Sequence, residues 1–227
     1  MNPLTTLEQA GLSRRGFLTR AGGGLAALSV VAAGCDSDDP DPMPGAVTLD
    51  FSNDFGVLNY AYALEQLEAA FYAAVVGAAG FATAFPSADE RAGLTAIAKH
   101  EAIHAAFLKA ALGSNAIGNL TPDFSSVNFS SRASVLGTSL VFEDLGVAAY
   151  NGAGKFISDP GYLTLAGKIV SVEARHASYI AGLITPNTIA GSGVINSMGL
   201  DRAFLPAQVL AAADPFIVNT ITLRNAS

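Results

Sequence analysis

The sequence has no tryptophan, one cysteine and only three histidines, and charged residues make up just 14% of its 227 positions. A single cysteine excludes an internal disulfide, and a chain of this length can bury a core large enough to fold without one. The net charge of −7 and the lack of any basic run argue against nucleic-acid binding. Hydrophobic residues, at 51%, and glycine, at 23 residues, are abundant, and this composition suits closely packed helices.

The N-terminal segment has the features of an export signal. Its start, Ser13-Arg14-Arg15-Gly16-Phe17-Leu18-Thr19, resembles the twin-arginine motif. The apolar run that follows over residues 21–34 is too short to span a membrane as a mature helix. We therefore predict a twin-arginine lipoprotein signal over residues 1–34 and export to the periplasmic side of the cell envelope.

Cys35 is the predicted attachment point of a lipid anchor. The residues before it, Val31-Ala32-Ala33-Gly34, resemble a lipobox, so we expect the mature chain to begin at a lipidated Cys35 and to be held at the membrane. Cleavage at a small-residue site without lipidation is the alternative. Residues 35–49 are rich in Asp and Pro and cannot build a core, so we predict a disordered acidic tether there.

Four amphipathic helices are predicted between residues 50 and 186, from apolar residues that recur at spacings of three and four. Their expected ranges are 53–76, 88–112, 131–157 and 160–184. The long polar connection at 114–130 is expected to cross between the two halves of an all-α four-helix bundle. Residues 187–227 are predicted to form an extension that packs on the bundle, with a short helix at 206–213 and a β-like stretch at 216–223.

The segments 101–104 and 173–176 share the pattern Glu-x-x-His. Residues three apart on a helix point the same way, so each segment presents a carboxylate and an imidazole together. Two of the three histidines stand in this pattern. The third, His100, lies about 100° around the helix from Glu101, and we predict that it faces the surface or a neighbouring edge.

A second pattern precedes each Glu-x-x-His segment. Glu65 is followed seven residues later by Tyr72, and Glu143 seven residues later by Tyr150. Each glutamate lies on the apolar, core-facing stripe of its helix. An unpaired carboxylate there would be costly, and either a metal or a structural hydrogen bond would relieve that cost.

The repeat decides between two glutamates on the first helix. Glu68 lies three residues after Glu65 and close to the same face. The equivalent position in the second half of the chain is Gly146, which cannot be a ligand. Glu65 is therefore the better ligand, and Glu68 is predicted to lie beside the site or at the surface.

One Glu from each of two helices, with a Glu-x-x-His from each of two others, is the ligand set of a carboxylate-bridged two-metal site. Four carboxylates and two imidazoles without a thiolate suit two iron or manganese ions. The predicted metal ligands are Glu65, Glu101, His104, Glu143, Glu173 and His176. Glu101 and Glu173 are expected to bridge the metals. Glu65 and His104 are expected to bind one metal, and Glu143 and His176 the other. Tyr72 and Tyr150 are expected to hydrogen-bond the carboxylates.

The segments that carry these residues resemble the ferritin-like superfamily, in particular exported members related to plant desiccation-related proteins. The matching segments are 54–60, 64–72, 100–104, 142–150 and 172–177. The resemblance implies a ferritin-like four-helix bundle, with reactions that range from iron oxidation and storage to peroxide reduction, manganese catalase and oxygenase chemistry. Val172 departs from the pattern, because many di-iron relatives have Asp there, hydrogen-bonded to a ligand histidine.

Two functions stay open at the level of sequence. The first is an envelope-anchored di-iron or di-manganese oxidoreductase of ferroxidase, peroxidase or catalase type, whose partners are the metal ions and O2 or peroxide. The alternative is a non-catalytic stress or desiccation-related protein with a structural or empty metal site. The sequence allows an oligomer without defining one, and a storage cage does not suit a tethered lipoprotein.

Overall fold

The computed structural model describes residues 45–227, so the predicted export signal, Cys35 and the tether up to residue 44 lie outside the described residues. The helices are α1 (Asp54–Gly77), α2 (Phe81–Ala84), α3 (Ala88–Leu112), α4 (Arg132–Ala153), α5 (Pro160–Ile184) and α6 (Pro206–Ala213). The strands are β1 (Val47–Asp50) and β2 (Ile221–Arg224). No helix within residues 45–227 is both long and apolar enough to cross a membrane.

The four long helices, α1, α3, α4 and α5, form the predicted all-α bundle, and polar side chains cap their N-termini. The caps that accept a hydrogen bond from a backbone N–H of the first turn are Asn53, Ser87, Ser131 and Asp159. Pro160 follows the last cap, in the first turn where a missing N–H costs nothing. The third helix is predicted to reach residue 157, but α4 ends at Ala153 because the chain tightens into a 3₁₀ turn at Gly154–Phe156.

The long helices associate in two pairs that a crossover joins. Helix α1 packs most extensively on α3, and α4 on α5. The first residues of the crossover (114–130) are hydrogen-bonded to α1. The Asn59 side chain donates to the Asn115 carbonyl and accepts from the Ile117 N–H, both at 2.8 Å. Asn59 is buried, so these bonds also satisfy its amide in the core.

The first residues of the described chain belong to the folded domain. Strand β1 pairs in parallel with β2, with Leu49 opposite Leu223, and the Leu49 side chain is fully buried. The tether predicted over 35–49 is therefore too long at its C-terminal end, and the folded domain begins before residue 50. Four residues of alternating polarity are a weak strand signal, and their partner lies at the far end of the sequence.

The C-terminal extension packs closely on α4. A Cβ at Gly152 would lie only 1.8 Å from the Phe204 carbonyl oxygen, so this close approach requires glycine. The short helix predicted at 206–213 is present as α6. The predicted β-like stretch at 216–223 forms a strand only from Ile221; before it, Asp214–Phe216 is a 3₁₀ turn and Ile217 makes an isolated bridge with Pro122.

Aromatic rings tie the crossover and the extension to the bundle. Phe71 of α1 makes edge contacts with Phe124 of the crossover and Phe142 of α4. Phe142 in turn meets Phe216 of the extension edge-on, with ring centroids 4.8 Å apart. These contacts hold α1 and α4, the two helices that carry the predicted single glutamates, in a fixed relation.

Candidate metal centre

Four glutamates from four helices meet inside the bundle. The fully buried carboxylates are Glu65 on α1, Glu101 on α3, Glu143 on α4 and Glu173 on α5. With two histidines they form two groups of ligand-type atoms, and the atoms of each group lie within 4.8 Å of one another. One group is Glu65, Glu101, His104 and Glu173; the other is Glu101, Glu143, Glu173 and His176. The fold therefore brings together all six residues that the sequence singles out as ligands.

Both of these histidines direct Nδ1 at the carboxylates. His104 Nδ1 lies 3.0 Å from Glu173 Oε1 and 3.2 Å from Glu101 Oε2. His176 Nδ1 lies 2.8 Å from Glu101 Oε1 and 3.3 Å from Glu143 Oε2. The two oxygens of Glu101 thus face different imidazoles, which is the position that a bridging ligand needs.

The two tyrosines of the repeat cross between the halves of the bundle. The Tyr72 hydroxyl donates to Glu143 Oε1 at 2.5 Å, and the Tyr150 hydroxyl donates to Glu65 Oε1 at 2.6 Å. Burial and then the facing carboxylate raise the pKa of both phenols well above the usual value, so each phenol stays a donor. Each tyrosine therefore holds one oxygen of the glutamate on the opposite helix and leaves the other oxygen for the site.

Several buried atoms of the site have no hydrogen-bond partner. They are Glu65 Oε2, Glu101 Oε1, Glu143 Oε2, both carboxylate oxygens of Glu173, and His176 Nδ1. Glu101 Oε1 and His176 Nδ1 are close in distance but lack hydrogen-bond geometry. Leaving buried polar atoms unpaired is costly. Their convergence from four helices fits metal ions as the shared partner.

The pKa values of the site's glutamates and histidines are shifted because several ionisable groups are buried close together. Burial opposes the charge of His104, but the contacts with Glu101 and Glu173 outweigh it and raise its pKa to about 12. The same balance, with Glu101 and Glu143 as partners, raises the pKa of His176 to about 10. Burial opposes the charge of Glu101 as well, yet the two imidazoles lower its pKa to about 2. Burial raises the pKa of Glu173 to about 8. Protons on the two imidazoles and on Glu173 thus offset part of the carboxylate charge before a metal binds.

Glu68 lies beside the site and belongs to neither group of ligand atoms. It is 4% exposed, so of the two predicted positions the surface one is wrong. A Cβ at Gly146 would lie 3.1 Å from Glu68 Oε1 and 3.5 Å from Glu173 Oε2, so glycine there leaves room for both carboxyl groups. Burial, followed by Glu173 and the other carboxylates, raises the pKa of Glu68 well above the usual value. This carboxyl therefore favours its neutral form.

His100 combines the two positions that the sequence leaves open. It is exposed, as predicted, but it also touches the site, because its Nδ1 lies 2.8 Å from Nε2 of His176. The two rings are nearly parallel, at 9°. A helical-stripe argument misses this contact because it treats α3 alone, whereas the partner ring comes from α5. The sequence signal that could have indicated this contact is the position of His100 directly before the ligand-type residue Glu101.

A four-helix bundle with buried glutamates and two Glu-x-x-His segments defines a class of helical proteins that can hold metal through carboxylates and imidazoles. A family model described as the ferritin-like domain matches residues 53–186, which is more than half of the chain. The chain therefore belongs to the ferritin-like domain family, and this confirms the predicted fold class. No curated protein matches its sequence significantly. The link to desiccation-related proteins stays a prediction.

Proposed function

We propose that this protein binds two iron or manganese ions between its four long helices. The observation that carries the proposal is the overlap of the two ligand groups, which share Glu101 and Glu173 and are otherwise separate. Two metals bridged by carboxylates use this arrangement in four-helix bundles. Four carboxylates balance two divalent ions, and a ligand set without thiolate suits iron or manganese better than softer metals.

The chain's own groups prepare the site for this role. Glu65 and His104, which belong to one ligand group only, would complete one metal position. Glu143 and His176 would complete the other. Tyr72 and Tyr150 each occupy one oxygen of such a glutamate and so orient the carboxylate. Because these bonds cross between α1 and α4, they also fix the spacing of the two helices at the site.

The protein surface opens beside His104, one of the six ligand-type residues. A groove there is lined by Ile103, His104, Phe107, Leu165, Lys168, Ile169 and Val172, and we call it the His104 groove. A small oxidant such as O2 or peroxide can reach the His104 imidazole through this groove without unfolding of the bundle. When bound, iron or manganese would supply a redox centre, and we assign the protein on this basis to Fe(II) oxidation or peroxide consumption.

Export and anchoring belong to the same proposal and rest on the sequence. The twin-arginine motif and Cys35 support a lipid-anchored protein on the periplasmic side of the envelope. Metal loading before export suits a route that carries folded proteins. Mass spectrometry of the membrane fraction tests it, because a lipidated Cys35 gives an acyl-modified N-terminal peptide and Cys35→Ala releases the protein.

Metal analysis of protein purified from its native host tests the central claim. We expect about two ions per chain, and loss of at least one on Glu101→Gln or Glu173→Gln, since each removes a shared ligand. Glu90→Gln is a matched control on α3, because Glu90 pairs with Arg132 away from the site. Fewer than one ion per chain, unchanged by the ligand substitutions, would refute the metal site.

A non-catalytic role is the second candidate, and one observation favours it. His104 and His176 hold protons that offset part of the charge of the buried carboxylates, which lessens the need for a metal. Assays of Fe(II) oxidation and peroxide consumption separate the two. Turnover that His104→Ala abolishes while the helical content is retained removes the non-catalytic candidate, and a metal-loaded protein without turnover supports it.

A further inference from the structure

The two ligand histidines differ in what lies behind them. His176 directs Nδ1 into the site, and its outer nitrogen, Nε2, lies 2.8 Å from Nδ1 of His100. The parallel ring planes, 9° apart, suit a hydrogen bond between the two imidazoles. This contact joins α3 to α5 and connects a buried ligand-type residue to an exposed side chain.

The corresponding position in the other half is Val172. His100 stands directly before Glu101, and Val172 stands directly before Glu173. A valine side chain neither donates nor accepts, so Val172 cannot give His104 the bond that His100 gives His176. Val172 and His104 both line the open His104 groove instead. The two halves of the chain therefore match in their six ligand-type residues but differ at the residue before each Glu-x-x-His, which is His100 in one half and Val172 in the other.

We propose that His100 is a positioning residue, which fixes the ring of His176 and makes the two metal positions unequal. The inference rests on the proposed two-metal site. An imidazole that binds metal through Nδ1 carries its proton on Nε2, and an acceptor at that nitrogen fixes both the tautomer and the ring orientation. The lone pair of His100 Nδ1 is such an acceptor. His100 then carries its own proton on Nε2.

The consequence is one anchored and one exchangeable metal. Loss of a partner behind a metal-bound histidine typically weakens metal binding by about 10- to 100-fold. The position that includes His176 and Glu143 is therefore the tighter one. The position that includes His104 and Glu65 lacks this support and adjoins the groove, so its metal enters and leaves more readily. A partly loaded protein then carries its ion beside His176.

Manganese titration of the chelator-treated full chain tests the difference. We expect two Mn²⁺ equivalents with affinities separated by about 10- to 100-fold. His100→Ala should weaken the tighter step by a similar factor, and His100→Asn should restore it, because the Asn oxygen reaches near the place of Nδ1. Val172→Ala is the matched control at the equivalent position and should leave both steps unchanged.

A spectroscopic readout separates positioning from a general loss of structure. With only three histidines, ¹⁵N-labelled imidazoles can be assigned individually in the protein loaded with Zn²⁺, used as a diamagnetic probe. In the wild type and in His100→Asn, His176 should show a protected Nε2–H resonance. In His100→Ala that proton should exchange quickly with water, while circular dichroism stays the same.

The outcomes are distinguishable. Equal affinities in the wild type, a stepped titration that survives His100→Ala, or failure of His100→Asn to restore it in a folded protein would overturn the inference and leave the metal site standing. A wild type that binds no Mn²⁺, iron or Zn²⁺ would overturn the proposed function and this inference together. A single measurable ion that His100→Ala weakens supports the anchored position.

Discussion

Metal uptake by this protein should release protons, because its ligand histidines hold protons far more tightly than usual. Before a metal binds, His104 has a pKa of about 12 and His176 one of about 10, so both are imidazolium ions at neutral pH. A metal-ligating imidazole must be neutral at the nitrogen that binds. Each metal that enters therefore displaces a proton.

The magnitude follows from that count. Two imidazolium protons per two metals mean that the product of the two association constants rises at least about a hundredfold per pH unit between about pH 7 and pH 9. Glu173, with a pKa of about 8, adds to the release below that pH. A site with ordinary histidines would be almost independent of pH in this range, because their pKa is about 6.5.

Calorimetric titration of Mn²⁺ at neutral pH, repeated in buffers of different ionisation enthalpy, measures the number of protons released. We expect two or more per fully loaded chain. His104→Gln should reduce the release by about one proton, since glutamine carries none, and Glu90→Gln on the same helix should not change it. Release of less than one proton by the fully loaded wild type would refute the reasoning from charge crowding.

Three further outcomes test stability. The unfolding free energy of the chelator-treated protein should fall as pH rises from about 7 to 9. The expected slope is about 1.4 kcal/mol per pH unit for each imidazole proton that only the folded form holds. Urea denaturation measures this free energy, and a value that does not change with pH would contradict the prediction. Gly152→Ala should destabilise by about 1–3 kcal/mol through the clash with the extension, whereas Gly137→Ala, with open space around its position, should not destabilise. Equal midpoints for these two variants would refute the packing argument. Leu49→Ala should cost about 2–5 kcal/mol, because Leu49 is fully buried, while exposed Thr48→Ala should cost little; no loss in Leu49→Ala would mean that β1 does not support the fold.

Much of the bundle is legible in the sequence because its determinants are local. Helix caps such as Ser87 and Asp159 act on backbone N–H groups two or three residues away, so they mark boundaries directly. The Glu-x-x-His segments are equally local, since a helix places residues three apart on one face. Four such elements with inward carboxylates leave few alternatives to a shared site.

Strand β1 shows where local reasoning fails. A short apolar alternation next to an acidic, proline-rich segment reads as part of the tether, and only its pairing with β2 at the other end of the chain makes it a strand. Pairing of this kind depends on where the bundle places the two chain ends. No spacing within either segment encodes it.

The sequence by itself determined the four long helices, the repeat and the six ligand-type residues, because all of these follow from residue spacings along the chain. Only the tertiary structure decided which groups meet across helices. It crosses Tyr72 to Glu143 and Tyr150 to Glu65, buries Glu68 against Gly146, and sets His100 behind His176. Each of these contacts depends on the rotation and spacing of two helices that are distant in sequence, and side-chain packing between the helices sets that relation.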